Sequence, residues 1–110
     1  MEKVSIYYSS AVQAYFNELI EALFDDKYFS YQDNAIEYVQ KLVLYINTNI
    51  ENFAHKNTPK SLSKFGDFYI FYKSNPRTIW YIFFSKKQNN YLIKHITNNH
   101  NFDSNSLNTN

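Results

Sequence analysis

Residues 67–97 read DFYIFYKSNPRTIWYIFFSKKQNNYLIKHIT and hold three apolar segments separated by two short polar turns. The apolar segments are rich in aromatic and β-branched residues, as is typical of β-strands: 67–73, 78–84 and 91–97. Residues 74–77 and 86–90 carry the Ser, Asn and Pro side chains that favour turns. Because such short connections join neighbouring strands, the whole stretch predicts a three-stranded antiparallel meander.

Before this meander the sequence predicts one strand and two amphipathic helices. Residues 3–8 alternate between two sets of side chains, one of them apolar, which is typical of a strand. Apolar residues at three- and four-residue intervals predict a first helix over about 10–25. A second helix begins near Ser30 or Asp33, either of which can cap it, and its apolar stripe ends at about Phe53. The predicted fold is therefore α+β, in the order β-α-α-β-β-β: a twisted antiparallel sheet with two N-terminal helices packed on one face.

The two middle strands are apolar on both of their faces. In the first of them, Phe68, Ile70 and Tyr72 alternate with Tyr69 and Phe71. Two helices can cover only one face of a sheet, so the other face needs a cover or a partner. Two interpretations stay open: the C-terminal tail, a second copy or the wrapping helices shield it, or it is a binding surface.

Composition excludes several classes of protein. The chain has 110 residues, 45% of them hydrophobic and 20% aromatic, and its formal charge is +1. This length and apolar content favour one soluble globular domain. The absence of Cys excludes disulfides, thiolate zinc sites and a cysteine nucleophile. With no signal peptide and no run of about 18 apolar residues, we expect a cytoplasmic protein that does not associate with membranes.

Acidic, basic and polar residues are unevenly distributed along the chain. Residues 1–53 hold eight acidic side chains against three lysines, whereas residues 54–110 hold eight basic side chains against two acidic ones. A basic half of this kind is a modest indication of a polyanionic partner. Residues 98–110 are polar and have no apolar periodicity, so we expect a single domain over 1–97 followed by a flexible tail.

The order of elements resembles the RelE/ParE superfamily of toxins from bacterial type II toxin–antitoxin modules. The local likeness lies in the aromatic strand 68–72, the tight turn, the second aromatic strand, and a third strand that runs into Asn98, Asn99 and His100. The resemblance implies a cognate antitoxin as partner, in a homodimeric or toxin–antitoxin assembly. It also implies one of two activities. RelE-like members cut mRNA on the ribosome without a metal or other cofactor, and ParE-like members inhibit DNA gyrase.

Metal-free RNA cleavage needs a proton-transfer group and a cation beside the phosphate. On the resemblance, His100 is the candidate acid or base, since some RelE-like branches carry a catalytic His where the last strand ends. Arg77, the only arginine, is the candidate for the phosphate contact, because its guanidinium is planar and permanently charged. Five further residues are candidates for RNA binding through charge or stacking: Lys64, Lys73, Tyr72, Lys86 and Lys87.

Simpler interpretations of the same residues stay open. His100 and Arg77 are also compatible with solvated surface positions, and the tyrosines of a strand usually pack. His95 alternates with Ile93 and Thr97 and reads as a structural residue of the sheet, and the histidine spacing predicts no metal site. With one arginine and a near-neutral charge, enzymatic activity is uncertain. We favour the mRNA endoribonuclease narrowly over a gyrase inhibitor or a non-enzymatic protein-interaction domain.

Overall fold

The structure is a computed structural model that describes residues 4–25, 32–51, 56–100 and 107. Over these residues the chain is mixed α+β, with two α-helices, one 3₁₀ helix and a five-stranded sheet. In chain order the elements are β1 (Ser5–Tyr8), α1 (Ser10–Asp25), α2 (Gln32–Asn49), β2 (Lys56–Asn57), the 3₁₀ helix (Lys60–Phe65), β3 (Phe68–Asn75), β4 (Thr78–Lys87) and β5 (Asn90–Asn98).

The predicted meander is confirmed, but the sheet is not wholly antiparallel. Its strand order is β1-β5-β4-β3-β2, and β1 pairs parallel to β5, from Ser5 opposite Asn90 to Tyr8 opposite Ile93. The short strand β2, which the sequence analysis did not predict, pairs antiparallel to β3. It adds one reversal of chain direction before the meander. Strand β5 consequently runs in the same direction as β1, and the all-antiparallel expectation was wrong.

Both α-helices contribute to a core on one face of the sheet, as predicted. Their periodic apolar residues pack against alternate residues of the three long strands, because side chains at three- and four-residue spacing share one face of a helix. The buried members of this helix-face core are Val12, Leu42, Ile46, Ile50, Ile70, Trp80, Ile82, Phe84, Tyr91, Ile93 and Ile96. Ser30 and Phe53, expected near the ends of α2, lie outside the described residues.

The opposite face carries a second, smaller apolar cluster. Tyr69, Tyr81, Phe83 and Leu107 are its buried members. Four partly buried residues pack against them, two from the 3₁₀ helix and two from the sheet: Leu62, Phe65, Phe71 and Ile79. The centre of this second face is therefore covered by the chain itself. Residues 101–106 and 108–110 of the expected tail lie outside the described residues, whereas Leu107 is only 8% exposed.

A β-bulge in β5 sets which side chains face which cluster. Phe83 pairs with His95 and Phe84 pairs with Ile93, so Lys94 is an extra residue on β5. The bulge places Ile93 in the helix-face core and His95 on the second face, where its ring contacts Phe83. Ile93 and His95 therefore face opposite sides of the sheet, although residues two apart in a regular strand share one side.

Candidate functional site

The candidate site lies where β5 ends beside the turn between β3 and β4. His100 follows β5 and is exposed. Its backbone N–H donates to Asn98 Oδ1 over 2.9 Å, and its Nε2 lies 3.0 Å from Thr78 Oγ1. Thr78 is the first residue of β4, so one side-chain hydrogen bond joins the end of β5 to the start of β4.

Asn99 fixes the two segments against each other. Its Oδ1 accepts the Ile79 N–H over 3.0 Å, and its own N–H donates to the Ile79 carbonyl over 3.1 Å. Its Nδ2 donates to the carbonyl of Arg77 over 3.1 Å. Asn99 directly precedes His100, and it is hydrogen-bonded to Arg77 and Ile79. These bonds place both candidate catalytic residues, His100 and Arg77, at the same end of the sheet.

Arg77 occupies the exposed turn itself. Its backbone N–H donates to Asn75 Oδ1 over 2.9 Å, an Asx-type bond that stabilises the turn. Arg77 is exposed to solvent. Lys73 is also exposed and pairs with Ile79 near the same end of β3 and β4. The same end of the sheet thus carries two exposed cationic side chains and one exposed imidazole, an arrangement that suits contact with an anion.

A partly buried hydrogen-bond network supports this end of the sheet from the helix side. The Trp80 Nε1–H donates to the hydroxyl of Tyr38 over 2.9 Å, and that hydroxyl lies 3.0 Å from Ser74 Oγ. Tyr38 belongs to α2, whereas Ser74 and Trp80 flank the β3–β4 turn. The turn is therefore held to the helix layer by hydrogen bonds as well as by packing.

Tyr72 contributes to packing at this end, not to an open stacking surface. Its ring stacks on Tyr45 of α2, with centroids 4.5 Å apart and an interplanar angle of 26°. The Tyr45 hydroxyl donates to the Phe71 carbonyl over 2.6 Å, and burial raises the pKa of this phenol. Tyr72 is accordingly half-buried on the helix face, with its ring against Tyr45.

Lys86 and Lys87 lie at the far end of β4. The nine residue steps from Thr78 to Lys87 span about 30 Å at a rise of ~3.3 Å per residue. One nucleotide cannot contact both His100 and this lysine pair. The Nζ of Lys86 lies 5.4 Å from the centroid of the Tyr91 ring, within cation–π range.

Lys64 belongs to a third location, on the 3₁₀ helix over the second face. Its Nζ lies 5.2 Å from the Phe65 ring, and Phe65 stacks on His95 with centroids 4.1 Å apart and an angle of 9°. Burial and the nearby Lys64 ammonium lower the pKa of His95 below its ordinary value of 6.5. His95 therefore has the structural role expected of it, and it anchors the 3₁₀ helix.

Two residues of the candidate site were missed by the sequence analysis. Thr78 and Asn99 act through hydrogen bonds that depend on the pairing of β4 with β5, and no local pattern marks Thr78. The run Asn98, Asn99, His100 was the available signal, since Asn side chains often bond nearby backbone groups at strand ends. Among the residues described, no group of three His, Asp or Glu side chains could hold a metal ion.

The fold and the site together define a mixed α+β domain with a polar end formed by the β3–β4 turn and the end of β5. Comparison with protein-family models, with curated proteins and with solved structures gives no match. Within the described part of the chain, no helix has the length and apolarity that crossing a membrane requires.

Proposed function

We propose that this chain is the toxin of a bacterial type II toxin–antitoxin module, with a RelE/ParE-like fold and metal-free endoribonuclease activity on ribosome-bound mRNA. The observation that carries the proposal is the meeting of His100 and the Arg77 turn at one end of the sheet, through Asn99 and Thr78. A strand followed by two helices and an antiparallel meander is compatible with it.

In this proposal the two candidate residues divide the chemistry. As the ribose 2′-oxygen bonds to phosphorus and the bond from phosphorus to the 5′-oxygen breaks, the imidazole of His100 exchanges a proton with one of these two oxygens and water exchanges a proton with the other. The Arg77 guanidinium stabilises the charge that develops on the phosphate oxygens. The Thr78 hydroxyl orients the imidazole through its contact with Nε2, and Lys73 adds a second positive charge near the same end. The cognate antitoxin would suppress the activity by covering this end.

A non-enzymatic function is the second candidate, either gyrase inhibition or protein interaction. The observation that favours it is the wide spread of the positive charges. Lys86 and Lys87 lie about 30 Å along β4 from the His100 end, and Lys64 lies over the second face beside Phe65. An enzyme that grips RNA usually gathers its cations around the scissile phosphate.

Induced expression of the chain in a bacterium tests the proposal. We expect growth arrest together with cuts in ribosome-bound mRNA, mapped by sequencing of 5′ ends. His100→Gln and Arg77→Gln should abolish the cuts, and Thr78→Val should reduce them, because it leaves the imidazole without its orienting hydroxyl. Lys60→Gln is the matched control, since this exposed lysine lies on the 3₁₀ helix away from the site.

The outcomes separate the candidates. Arrest without mRNA cuts, unchanged in His100→Gln, would assign the chain to gyrase inhibition or another interaction. No arrest at any expression level would contradict the toxin proposal itself. Co-expression of the neighbouring reading frame should relieve the arrest if that frame encodes the antitoxin. Each variant is checked for wild-type circular dichroism, so that loss of cuts is not loss of fold.

A further inference from the structure

Strand β1 is the last strand on its side of the sheet, so one of its two backbone edges has no described strand beside it. The strand order gives β1 a single neighbour, β5. The N–H groups of Ser5 and Ser9 donate to carbonyls on the β5 side, over 2.9 and 3.0 Å. Because alternate residues of a strand direct their N–H and C=O groups to opposite sides, those of Ile6 and Tyr8 point away from β5. We name this outer side of Ser5–Tyr8 the β1 edge.

The backbone groups of the β1 edge are available for pairing. Within the described ranges, no protein group bonds to the N–H or carbonyl of Ile6 on this side, or to the N–H of Tyr8. The Gln13 side-chain amide donates to the Tyr8 carbonyl over 2.8 Å, which leaves that oxygen a second lone pair. Natural edge strands are usually blocked by Lys, Pro or a bulge, but this strand reads SIYY. The β1 edge is therefore open to another strand.

An apolar cleft lies beside this edge, between β1 and the two helices. Its volume is about 460 Å³, and it is lined by Ile6, Tyr7, Tyr8, Gln13, Phe16 and Val43. The Tyr8 hydroxyl donates to Asn47 Oδ1 over 2.6 Å, which fixes one wall of the cleft. A strand added to the β1 edge would direct every second side chain towards this cleft, so apolar residues at alternate positions fit it.

The residues of β1 match those of a second copy of the same strand. When two copies pair antiparallel with Ile6 opposite Ile6, the outward N–H and C=O groups of each strand meet complementary groups of the other. On the helix side, Val4 then lies opposite Tyr8, and these apolar side chains meet at the cleft. On the other face, Ser5 lies opposite Tyr7 of the second copy, so the small side chain leaves room for the ring.

Exposure and charge favour the same occupant. Tyr7 is 56% exposed, as expected of a side chain that would pack on a second copy, and its partner in β5, Leu92, is 41% exposed. The strand Ser5–Tyr8 has no charged residue, so pairing two copies brings no like charges together within it. An unrelated strand would have to supply a small residue opposite Tyr7 and a large one opposite Ser5, which β1 itself supplies.

We propose that two copies of this chain form a two-fold symmetric dimer by antiparallel pairing of their β1 edges, with Ile6 opposite Ile6. The pairing joins the two sheets into one continuous sheet. A two-fold interface uses the same surface of both copies and therefore closes at the dimer. Because one short strand of each copy pairs, we expect a weak dimer that exchanges with monomer. The inference does not depend on the proposed function, since neither His100 nor the Arg77 turn belongs to the β1 edge.

Sedimentation velocity of the full chain over a concentration series tests the inference. The wild-type chain should be a dimer at high concentration and a monomer on dilution. Tyr7→Lys should lose the dimer, because the two copies of position 7 are diagonal neighbours about 7–8 Å apart in this register. Tyr7→Glu should lose it for the same reason, whereas an equimolar mixture of the two variants should dimerise again through opposite charges. Leu44→Lys is the matched control at a 64% exposed apolar residue of α2, and it should dimerise like wild type.

Cysteine cross-linking tests the register. The chain has no Cys of its own, so any disulfide reports on the introduced residues. Directly opposed residues of a non-hydrogen-bonded pair have Cα atoms about 4.5 Å apart, within disulfide range, whereas diagonal neighbours are too distant. A mixture of Ser5→Cys and Tyr7→Cys chains should therefore form a covalent dimer on mild oxidation, and each variant alone should not. Leu44→Cys in place of Tyr7→Cys should give no covalent dimer.

Three results would overturn the inference. These are a monomer at every concentration, a Tyr7→Lys dimer as stable as the Leu44→Lys dimer, and cross-linking of the single cysteine variants equal to that of their mixture. Circular dichroism of each variant should match wild type, because Tyr7 and Leu44 are exposed. The measurements use neither ribosomes nor mRNA, so the dimer can fail while the growth arrest persists, and the reverse outcome is equally distinguishable.

Discussion

Replacing Gly66 with Ala should destabilise the fold strongly, because this residue lies against the backbone of β4. Gly66 is the only glycine of the chain and joins the 3₁₀ helix to β3. A Cβ atom placed on it would lie 2.8 Å from the backbone N of Phe84 and 3.1 Å from the Phe84 carbonyl oxygen. Its φ of +158° and ψ of 169° belong to a region that is almost restricted to glycine.

The magnitude follows from two costs and one small gain. Overpacking against a backbone that cannot retreat costs about 1–3 kcal/mol, and β4 is held by hydrogen bonds to strands on both sides. Placing Ala in this conformation costs about 1–3 kcal/mol more. The lower conformational entropy of the unfolded chain with Ala offsets about 0.4–1 kcal/mol of this destabilisation. We expect a net loss of about 3 kcal/mol, which lowers the melting temperature by roughly 12–20 °C in a domain of this size.

Urea and thermal unfolding measure this loss. Fluorescence of the single tryptophan, Trp80, reports on the helix-face core, and circular dichroism reports on the whole chain. Ser61→Ala, at an exposed position of the same 3₁₀ helix, is the control and should stay within about 0.5 kcal/mol of wild type. A Gly66→Ala variant that melts at or above the wild-type temperature would show that close approach to Phe84 is not required.

Three further substitutions test the supports of the sheet. Tyr38→Phe removes the acceptor of the Trp80 indole N–H and should cost about 1–3 kcal/mol in urea unfolding, so a cost near zero would contradict the network. Leu107→Ala should cost about 2 kcal/mol, and an unchanged midpoint would show that Leu107 does not stabilise the second face. Because the pKa of His95 is lowered in the folded chain, the unfolded chain binds its proton first. The contribution of neutral His95 to the free energy of unfolding is complete above pH 6.5. It is lost as the pH falls from 6.5 towards the lowered pKa of the folded chain. His95→Gln should therefore lose less stability than wild type between about pH 7.5 and 5, and an equal loss would contradict the assignment.

Periodicity predicted the parts of the fold that are local. The spacing predicted one apolar stripe for the second helix, with Ala35 and Leu42 beside it: Ile36, Val39, Val43, Ile46 and Ile50. Ala35, Val39, Leu42, Ile46 and Ile50 are buried, and Ile36 and Val43 are half-buried. Strand β2 could not be predicted in this way, because two residues carry no period and Lys56 pairs with Tyr69 only through the sheet. The direction of β1 depended on that missing strand, so the parallel pair was out of reach as well.

The candidate site, like the fold, could be predicted from the sequence only in part. An antiparallel meander places the end of its third strand beside the start of its second, so the proximity of His100 to the Arg77 turn follows from the predicted topology. The hydrogen bonds of Asn99 and Thr78 require the register of β4 and β5, which the sequence does not display. The lysines were grouped by charge, although the predicted second strand already places Lys86 and Lys87 at the end of the sheet opposite the Arg77 turn.

The bulge at Lys94 connects the fold to the surfaces that remain open for function. Tyr91, Ile93 and Ile96 all belong to the helix-face core, yet a regular strand alternates with period two and cannot turn positions 93 and 96 to the same side. The three-residue interval therefore requires one extra residue. That residue brings His95 under Phe65, which anchors the 3₁₀ helix over the centre of the second face. Residues before Lys94 keep the regular alternation of the strand, so Leu92 faces away from the helix-face core, beside Tyr7. A single inserted residue thus separates the covered part of that face from the part where Tyr7 and Leu92 are exposed.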